Sequence, residues 1–503
     1  MLNFTPLCRP FFVARAKTLG HHADDLEQTQ RNVLRSLLHD ARSTEIGRRY
    51  SFATMTGAEH FCSRVPVRTY EDIRPDVMRM VAGEKDVLWR GRCRRFAQSS
   101  GTSDGRSKYV PVTDDSLCRN HFRGSADCVA EYLRLYPESK LIGGRSFILG
   151  GSFATELKNH PADVKIGDLS AHLIERMPGV TSRLRVPANR DVALLSDWHE
   201  KLPALVNASL RADVRSISGV PSWFLTVLRE VLKAAGAESI HDVWPNLEVF
   251  FHGGINFTPY RDQYEAITDP GRMHYLETYN ASEGFFAVQD RRSPGAMLLI
   301  PDAGVFYEFD PLDGSEPLKA WEVEAGKVYA MIISAANGLW RYPLGDTVRI
   351  ESTAPLRISI AGRTKLYINA FGEELMVHNS DAALAATCTA MGCKVSDYTA
   401  APVYTAGAKR GRHQWLVEFD EPPADTNRFA AELDRRLCAE NSDYAAKRAG
   451  SIFLDPVEVI AVPRGTFAQW LESTGKLGGQ RKVPRLCPDR HIVEPILRSV
   501  SAF

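Results

Sequence analysis

From residue 141 onward, short apolar runs alternate with stretches of helical spacing, and this alternation restricts the possible folds more than any other feature of the chain. Phe147-Ile148-Leu149 and Leu247-Glu248-Val249-Phe250-Phe251 read as strands, with a helical stretch at 222–234 between them. Strands separated by helices bury their apolar faces by stacking as layers, so the expected class is α/β. Residues 296–310 and 327–334 are strand-like and divided by turn residues, which adds a β-rich subdomain. Upstream, Leu26, Val33, Leu34, Leu37 and Leu38 share one side of a helix over 24–43. A further helix is expected from Asp114 to Leu135. Near residue 363 the character changes. Val377 to Met391 and Arg428 to Cys438 have helical spacing, while Gln414 to Phe419 and Val457 to Val462 read as strands, which gives a separate small α+β domain. The expected division is a large unit at 1–362, a hinge at 363–366 and a small domain at 367–503.

Charge and cysteine content remove several classes of function. The chain has 62 basic and 61 acidic residues and a formal net charge of +1, so no global field draws it to nucleic acid or anionic lipid. Arg90 to Arg95 is basic but lacks interleaved aromatics. The nine cysteines form no C-x-x-C pair, and the spacing of Cys388 and Cys393 matches no zinc or redox motif. The 14 histidines include His21-His22 but no H-E-x-x-H. No apolar run approaches the roughly 20 residues that a membrane helix needs. A soluble cytoplasmic protein with thiols in a reducing compartment is the default.

Five segments carry possible chemistry, one of them Ala361-Gly362-Arg363-Thr364-Lys365. Ser99-Ser100-Gly101-Thr102-Ser103-Asp104-Gly105-Arg106-Ser107-Lys108 is followed by β-prone Tyr109-Val110-Pro111-Val112, so it reads as a loop between strands. Its hydroxyls and small residues let backbone wrap an anion, although Lys108 lies beyond the second glycine and the segment is no Walker motif. A Ser/Gly surface loop is the alternative. Thr278-Tyr279-Asn280-Ala281-Ser282-Glu283 ends a strand with a carboxylate able to hold Mg²⁺, or else is a solvated turn. In Leu339-Trp340-Arg341-Tyr342-Pro343-Leu344-Gly345-Asp346 the aspartate could accept ribose hydroxyls, or Gly-Asp is a plain turn. Gln480-Arg481-Lys482-Val483-Pro484-Arg485 is a basic cluster that gains interest only if its domain folds over a phosphate.

In this order the segments resemble the Gretchen Hagen family of auxin-responsive acyl-acid amido synthetases, within the adenylate-forming acyl ligases. The supporting text is Val65-Pro66-Val67-Arg68-Thr69-Tyr70, Trp244-Pro245-Asn246-Leu247, His252-Gly253-Gly254 and Gly465-Thr466-Phe467. The resemblance spans nearly the whole chain. It implies a large adenylate-forming domain, a mobile small domain, ATP and Mg²⁺. By that resemblance Ser99, Ser100, Gly101, Thr102 and Ser103 grip the phosphates with Lys108 supporting the loop. Gly253 and Gly254 border the adenine, and Tyr279, Ser282 and Glu283 line the nucleotide site with Glu283 on the metal. Asp346 holds the ribose, Arg363 approaches it, Lys365 marks the hinge and Lys482 faces the phosphates. Lys476, in Thr474-Gly475-Lys476, is the rival for that last role. Asp104 departs from the family's glycine. The implied activity joins a carboxylic acid to an amine, an amino acid by the family's pattern. The alternatives are an acyl-CoA ligase using the same adenylate and a non-catalytic ligand-binding relative.

Overall fold

The structure, a computed structural model, describes residues 3–99, 108–153, 155, 157–254, 257–363, 367–368, 373, 375–404, 411–441, 444–445, 448, 454–474, 482–487 and 489–501. Among these, a twelve-stranded sheet forms the body of the large unit. One half is parallel: Arg145–Ile148, Val214–Gly219, Val249–Gly253 and His274–Ala281, with Arg185–Val186 at the edge. Parallel neighbours need a crossover that returns the chain to its starting end. Helices Trp198–Ser209 and Pro221–Ala235 serve as crossovers. The second is well delimited, because Pro221 opens it and Gly236, at φ 63°, closes it in the left-handed region. Its Phe224, Val227, Leu228 and Val231 pack in one core with Phe147, Ile217 and Phe250 of the sheet.

From Gly284 the sheet becomes antiparallel, through Gly284–Val288, Met297–Leu299, Leu356–Arg363, Tyr342–Thr353, Val328–Ala335, Val305–Asp310 and Leu318–Lys319. The β-rich segment expected from 296 to 334 is therefore the antiparallel half of the same sheet. A second core covers it, where Trp340 stacks with Trp89 at 6.0 Å and meets Phe52 edge-on at 4.7 Å. A three-stranded sheet of Lys108–Pro111, Arg95–Ser99 and Lys165–Gly167 lies apart.

The helix expected from Asp114 to Leu135 is present, but Leu117–His121 within it is π-helical. The buried Asn120 in that widened turn donates to the Phe285 and Ala303 carbonyls, both at 2.9 Å, and accepts from the Phe285 N–H at 2.6 Å. Beyond residue 367, strands Lys394–Tyr404, Gly411–Glu421 and Glu458–Val462 form a sheet packed on helices Val377–Met391 and Thr426–Glu440, with Leu384, Trp415, Phe429 and Leu433 between them. Phe467, Val493 and Ile496 form a further core around Leu416. Among the described residues, no helix is long and apolar enough to cross a membrane.

Two stability predictions follow from buried polar groups. Asn120→Ala removes three hydrogen bonds to buried backbone; at about 1 kcal/mol per bond, urea denaturation should show a loss of about 2–4 kcal/mol. Burial holds His172 well below its ordinary pKa, at about 4. Its folded pKa lies below the unfolded value, so the unfolded chain binds more protons between the two and stability falls as pH drops through that window. His172→Gln should therefore gain on the wild type by about 2 kcal/mol between pH 7 and pH 5, read from denaturation at both pH values.

Candidate functional site

The four parallel strands end on one side of the sheet, at Ile148, Gly219, Gly253 and Ala281. Carboxyl ends of parallel strands, at a point where the topology changes, are where open α/β sheets accept ligands. Here the change falls between His274–Ala281 and Gly284–Val288, so the turn residues Ser282 and Glu283 stand at that edge. Glu283 is 8% exposed, and Asn337 Nδ2 donates to its carbonyl at 2.9 Å, which fixes the turn.

The adjoining residues are tied pairwise. Tyr279 donates its hydroxyl proton to Asp346 Oδ2 at 2.7 Å, and both are buried. Asp346 follows Gly345, whose φ of 88° suits glycine, and sits opposite Arg363 in the strand register. At the end of Val249–Gly253 the backbone is bare for a reason. A Cβ on Gly253 would stand 2.4 Å from the Thr278 carbonyl oxygen, and Gly254 has φ 81°. The carbonyl of Gly254 accepts a hydrogen bond from Lys482 Nζ, so the C-terminal segment reaches the same edge.

Lys108 lies beneath this edge. Its Nζ donates to the Tyr342 hydroxyl at 3.1 Å and sits over the rings of Tyr70 and Tyr342, at 5.6 and 5.7 Å. Burial, with the neighbouring charge of Glu283, raises the Tyr342 phenol far above its usual range. Ser99 and Lys108 face each other in the register of their two strands, so the intervening loop starts and ends at one place. Ser100, Gly101, Thr102, Ser103, Asp104, Lys365 and Lys476 lie outside the described residues.

Three supporting residues carried no signal of their buried roles in sequence, Arg341 appearing there only as part of its motif. Arg341 is 4% exposed at φ 46°. Its Nε and Nη2 meet Glu308 at 2.8–3.0 Å, and Nη1 donates to the Cys62 and Val65 carbonyls at 2.5 and 2.8 Å. Asn337 reads as an ordinary turn residue. Lys201, 2% exposed, donates to the carbonyls of Gly150 and Gly151 at 2.7 and 3.1 Å and so fixes the loop after Ile148 at the same edge. Burial lowers its pKa to about 8, against the opposing pull of Asp168. A buried lysine and a buried arginine look like surface charges in a sequence, because only the tertiary partners distinguish them. Arg341→Met strands Glu308 as a buried lone charge, and chemical denaturation should register a loss of about 3–5 kcal/mol.

Profiles of the GH3 family match the chain in three parts: the N-terminal domain at residues 15–273, the central domain at 298–363 and the C-terminal domain at 378–491. The indole-3-acetic acid-amido synthetase GH3.3 of Arabidopsis thaliana is 24% identical over 93% of this chain and 91% of its own length. Among solved structures, GH3.15 acyl acid amido synthetase superposes with a TM-score of 0.81 at 18% identity, covering 97% of this chain and 96% of that one. A 2-hydroxyisobutyryl-CoA ligase in its postadenylation state superposes at a TM-score of 0.58 and 14% identity, covering 97% and 93%. These likenesses show a shared fold.

Proposed function

The chain belongs to the GH3 family, and from that premise we propose that it is an ATP-dependent acyl-acid amido synthetase. The observation that carries this reading is the meeting of Glu283, the Tyr279–Asp346 pair, Gly253-Gly254 and Lys482 at one carboxyl edge of the sheet. The amido synthetase named among its relatives matches over nearly its whole length, which supports amide formation over thioester formation.

In the first half-reaction an acid carboxylate oxygen attacks the α-phosphorus of ATP. A P–O bond forms to the acyl group, and the bond to pyrophosphate breaks. Little covalent work falls to the protein, which aligns the reactants and balances phosphate charge. Gly253 and Gly254 border the adenine, Gly253 being kept bare by the close approach of the Thr278 carbonyl. Asp346, held by Tyr279, accepts ribose hydroxyls, with Arg363 opposite it in the register. Ser99, Ser100, Gly101, Thr102 and Ser103 would grip the phosphates, with Lys108, held on Tyr342, supporting that segment, and Ser282 and Glu283 would line the nucleotide site. Lys482 supplies the cation from the C-terminal segment.

Glu283 suits magnesium, which takes one or two protein carboxylates along with substrate phosphate oxygens and would there neutralise phosphate charge. In the second half-reaction an amine nitrogen attacks the acyl carbonyl, the C–O bond to AMP breaks, and the amine sheds a proton as the amide forms. The small domain, 367–503, turns on a hinge at 363–366 between the steps.

ATP–pyrophosphate exchange across a panel of carboxylic acids that includes indole-3-acetic acid tests the reading, with products analysed by mass spectrometry after adding amino acids or coenzyme A. Exchange with at least one acid, abolished by EDTA and restored by Mg²⁺, is expected. Glu283→Gln and Asp346→Asn should each lower it by about a hundredfold. Undiminished exchange in both variants would remove the site assignment. Thioester without amide would make the protein a CoA ligase.

A further inference from the structure

Lys482 does not reach the sheet edge alone. Three residues on, Arg485 donates from Nη2 to the hydroxyl of Tyr260 at 2.7 Å, and Tyr260 lies six residues beyond Gly254. The same two segments therefore meet twice: Lys482 on the Gly254 carbonyl, and Arg485 on Tyr260. Two contacts between a pair of segments fix direction as well as position. A single one leaves a lysine free to swing on its four-carbon stem.

Both sides of the second contact are rigid. Arg485 is ion-paired to Asp397, lies over the Tyr398 ring at 4.6 Å, and gives its carbonyl to the Ala400 N–H at 2.9 Å. Thr399 Oγ1 donates to the Pro484 carbonyl at 2.7 Å, so the stretch after Lys482 is stitched to strand Lys394–Tyr404. Tyr398 in turn donates to Asp381 at 2.7 Å and stacks on Trp415 at 5.1 Å. Across the contact, Tyr260 is buried, and its hydroxyl also stands 3.5 Å from the Ser396 carbonyl. Gln263, one turn on, donates to the Val395 carbonyl at 3.4 Å. A second contact between the units, His199 Nε2 to Glu472 Oε1 at 3.4 Å, uses neither of these segments and is exposed on both sides.

We propose that Tyr260 and Arg485 are positioning residues that clamp Lys482 against Gly254, so that its charge is in place for adenylate formation and not for amide formation. The proposal rests on the adenylation reading for its consequence, but the clamp can be read without turnover. In Tyr260→Phe only the hydroxyl is lost. Brief labelling of the full-length protein with acetic anhydride, followed by peptide mass spectrometry, should then show Lys482 modified about tenfold faster, the factor of one charge-assisted hydrogen bond. His199→Ala should leave that rate within about twofold of wild type, as expected for an exposed pair. In activity, Tyr260→Phe should slow ATP–pyrophosphate exchange by about tenfold while aminolysis of added acyl-adenylate changes by less than about twofold, and it should cost nothing further in a Lys482→Ala background. Unchanged labelling of Lys482 in Tyr260→Phe, equal labelling in Tyr260→Phe and His199→Ala, or equal losses in both half-reactions would overturn the clamp. A wild-type protein with no exchange would overturn the adenylation reading, and the labelling result would still decide the clamp.

Discussion

The candidate site depends on one buried ion pair, Arg341 with Glu308. Desolvating a guanidinium and a carboxylate costs several kcal/mol each, and attraction offsets that only when the remaining donors are also satisfied. Here they are, because Nη1 of Arg341 is taken by the carbonyls of Cys62 and Val65. The pair thus joins the N-terminal helices, the strand Val305–Asp310 and the start of Tyr342–Thr353. The next residue, Tyr342, accepts from Lys108, and four further on Asp346 receives Tyr279. A left-handed residue other than glycine at 341 is tolerable because bonds on its backbone hold it, Arg68 N–H on its carbonyl and its own N–H on Ser334 Oγ.

Regular elements were largely legible in the sequence, for reasons of pattern. The helix expected at Val377 to Met391 matches the observed Val377–Met391, and 222–234 falls within Pro221–Ala235. Strands 247–251 and 457–462 fall on Val249–Gly253 and Glu458–Val462 within two residues, the usual uncertainty of element ends. What the pattern could not carry is pairing. Apolar runs at 296–310 and 327–334 look alike whether they form a separate subdomain or extend a sheet, and the pairings of Met297–Leu299 with Gly284–Val288 and of Val328–Ala335 with Tyr342–Thr353 join them to it. The π turn at Asn120 was equally invisible, since its cause is a partner strand more than 160 residues away.

The candidate site was legible as a set of segments and not as a set of contacts. Tyr279 and Asp346 were each assigned to a nucleotide, yet their direct hydrogen bond makes one residue the support of the other. Lys108 reads as a support for the phosphate segment, and its ammonium group lies over two tyrosine rings and on a phenol. Arg341 reads as a motif residue beside Tyr342 and is an internal structural cation instead. In each case the sequence identifies chemistry-bearing residue types, and burial then decides which of them face a ligand and which hold the others in place.

Charge at the sheet edge gives the small domain a physical reason to be there. The large unit presents Glu283 and Asp346 at the proposed nucleotide edge, and both are buried enough that water screens them weakly. A triphosphate approaching two such carboxylates meets repulsion unless cations accompany it. Lys201, the buried cation of the neighbouring loop, is turned to the Gly150 and Gly151 carbonyls, and Lys108 is turned to Tyr342. Further positive charge is available from Arg363, opposite Asp346 in the register, from a bound metal ion and from the segment that brings Lys482 onto Gly254. Under the proposed chemistry, phosphate binding then favours the arrangement with the small domain docked, and departure of pyrophosphate removes part of that preference. Because a ligand shifts a conformational equilibrium only by its differential affinity for the two states, this change in charge is what would release the domain for the second half-reaction.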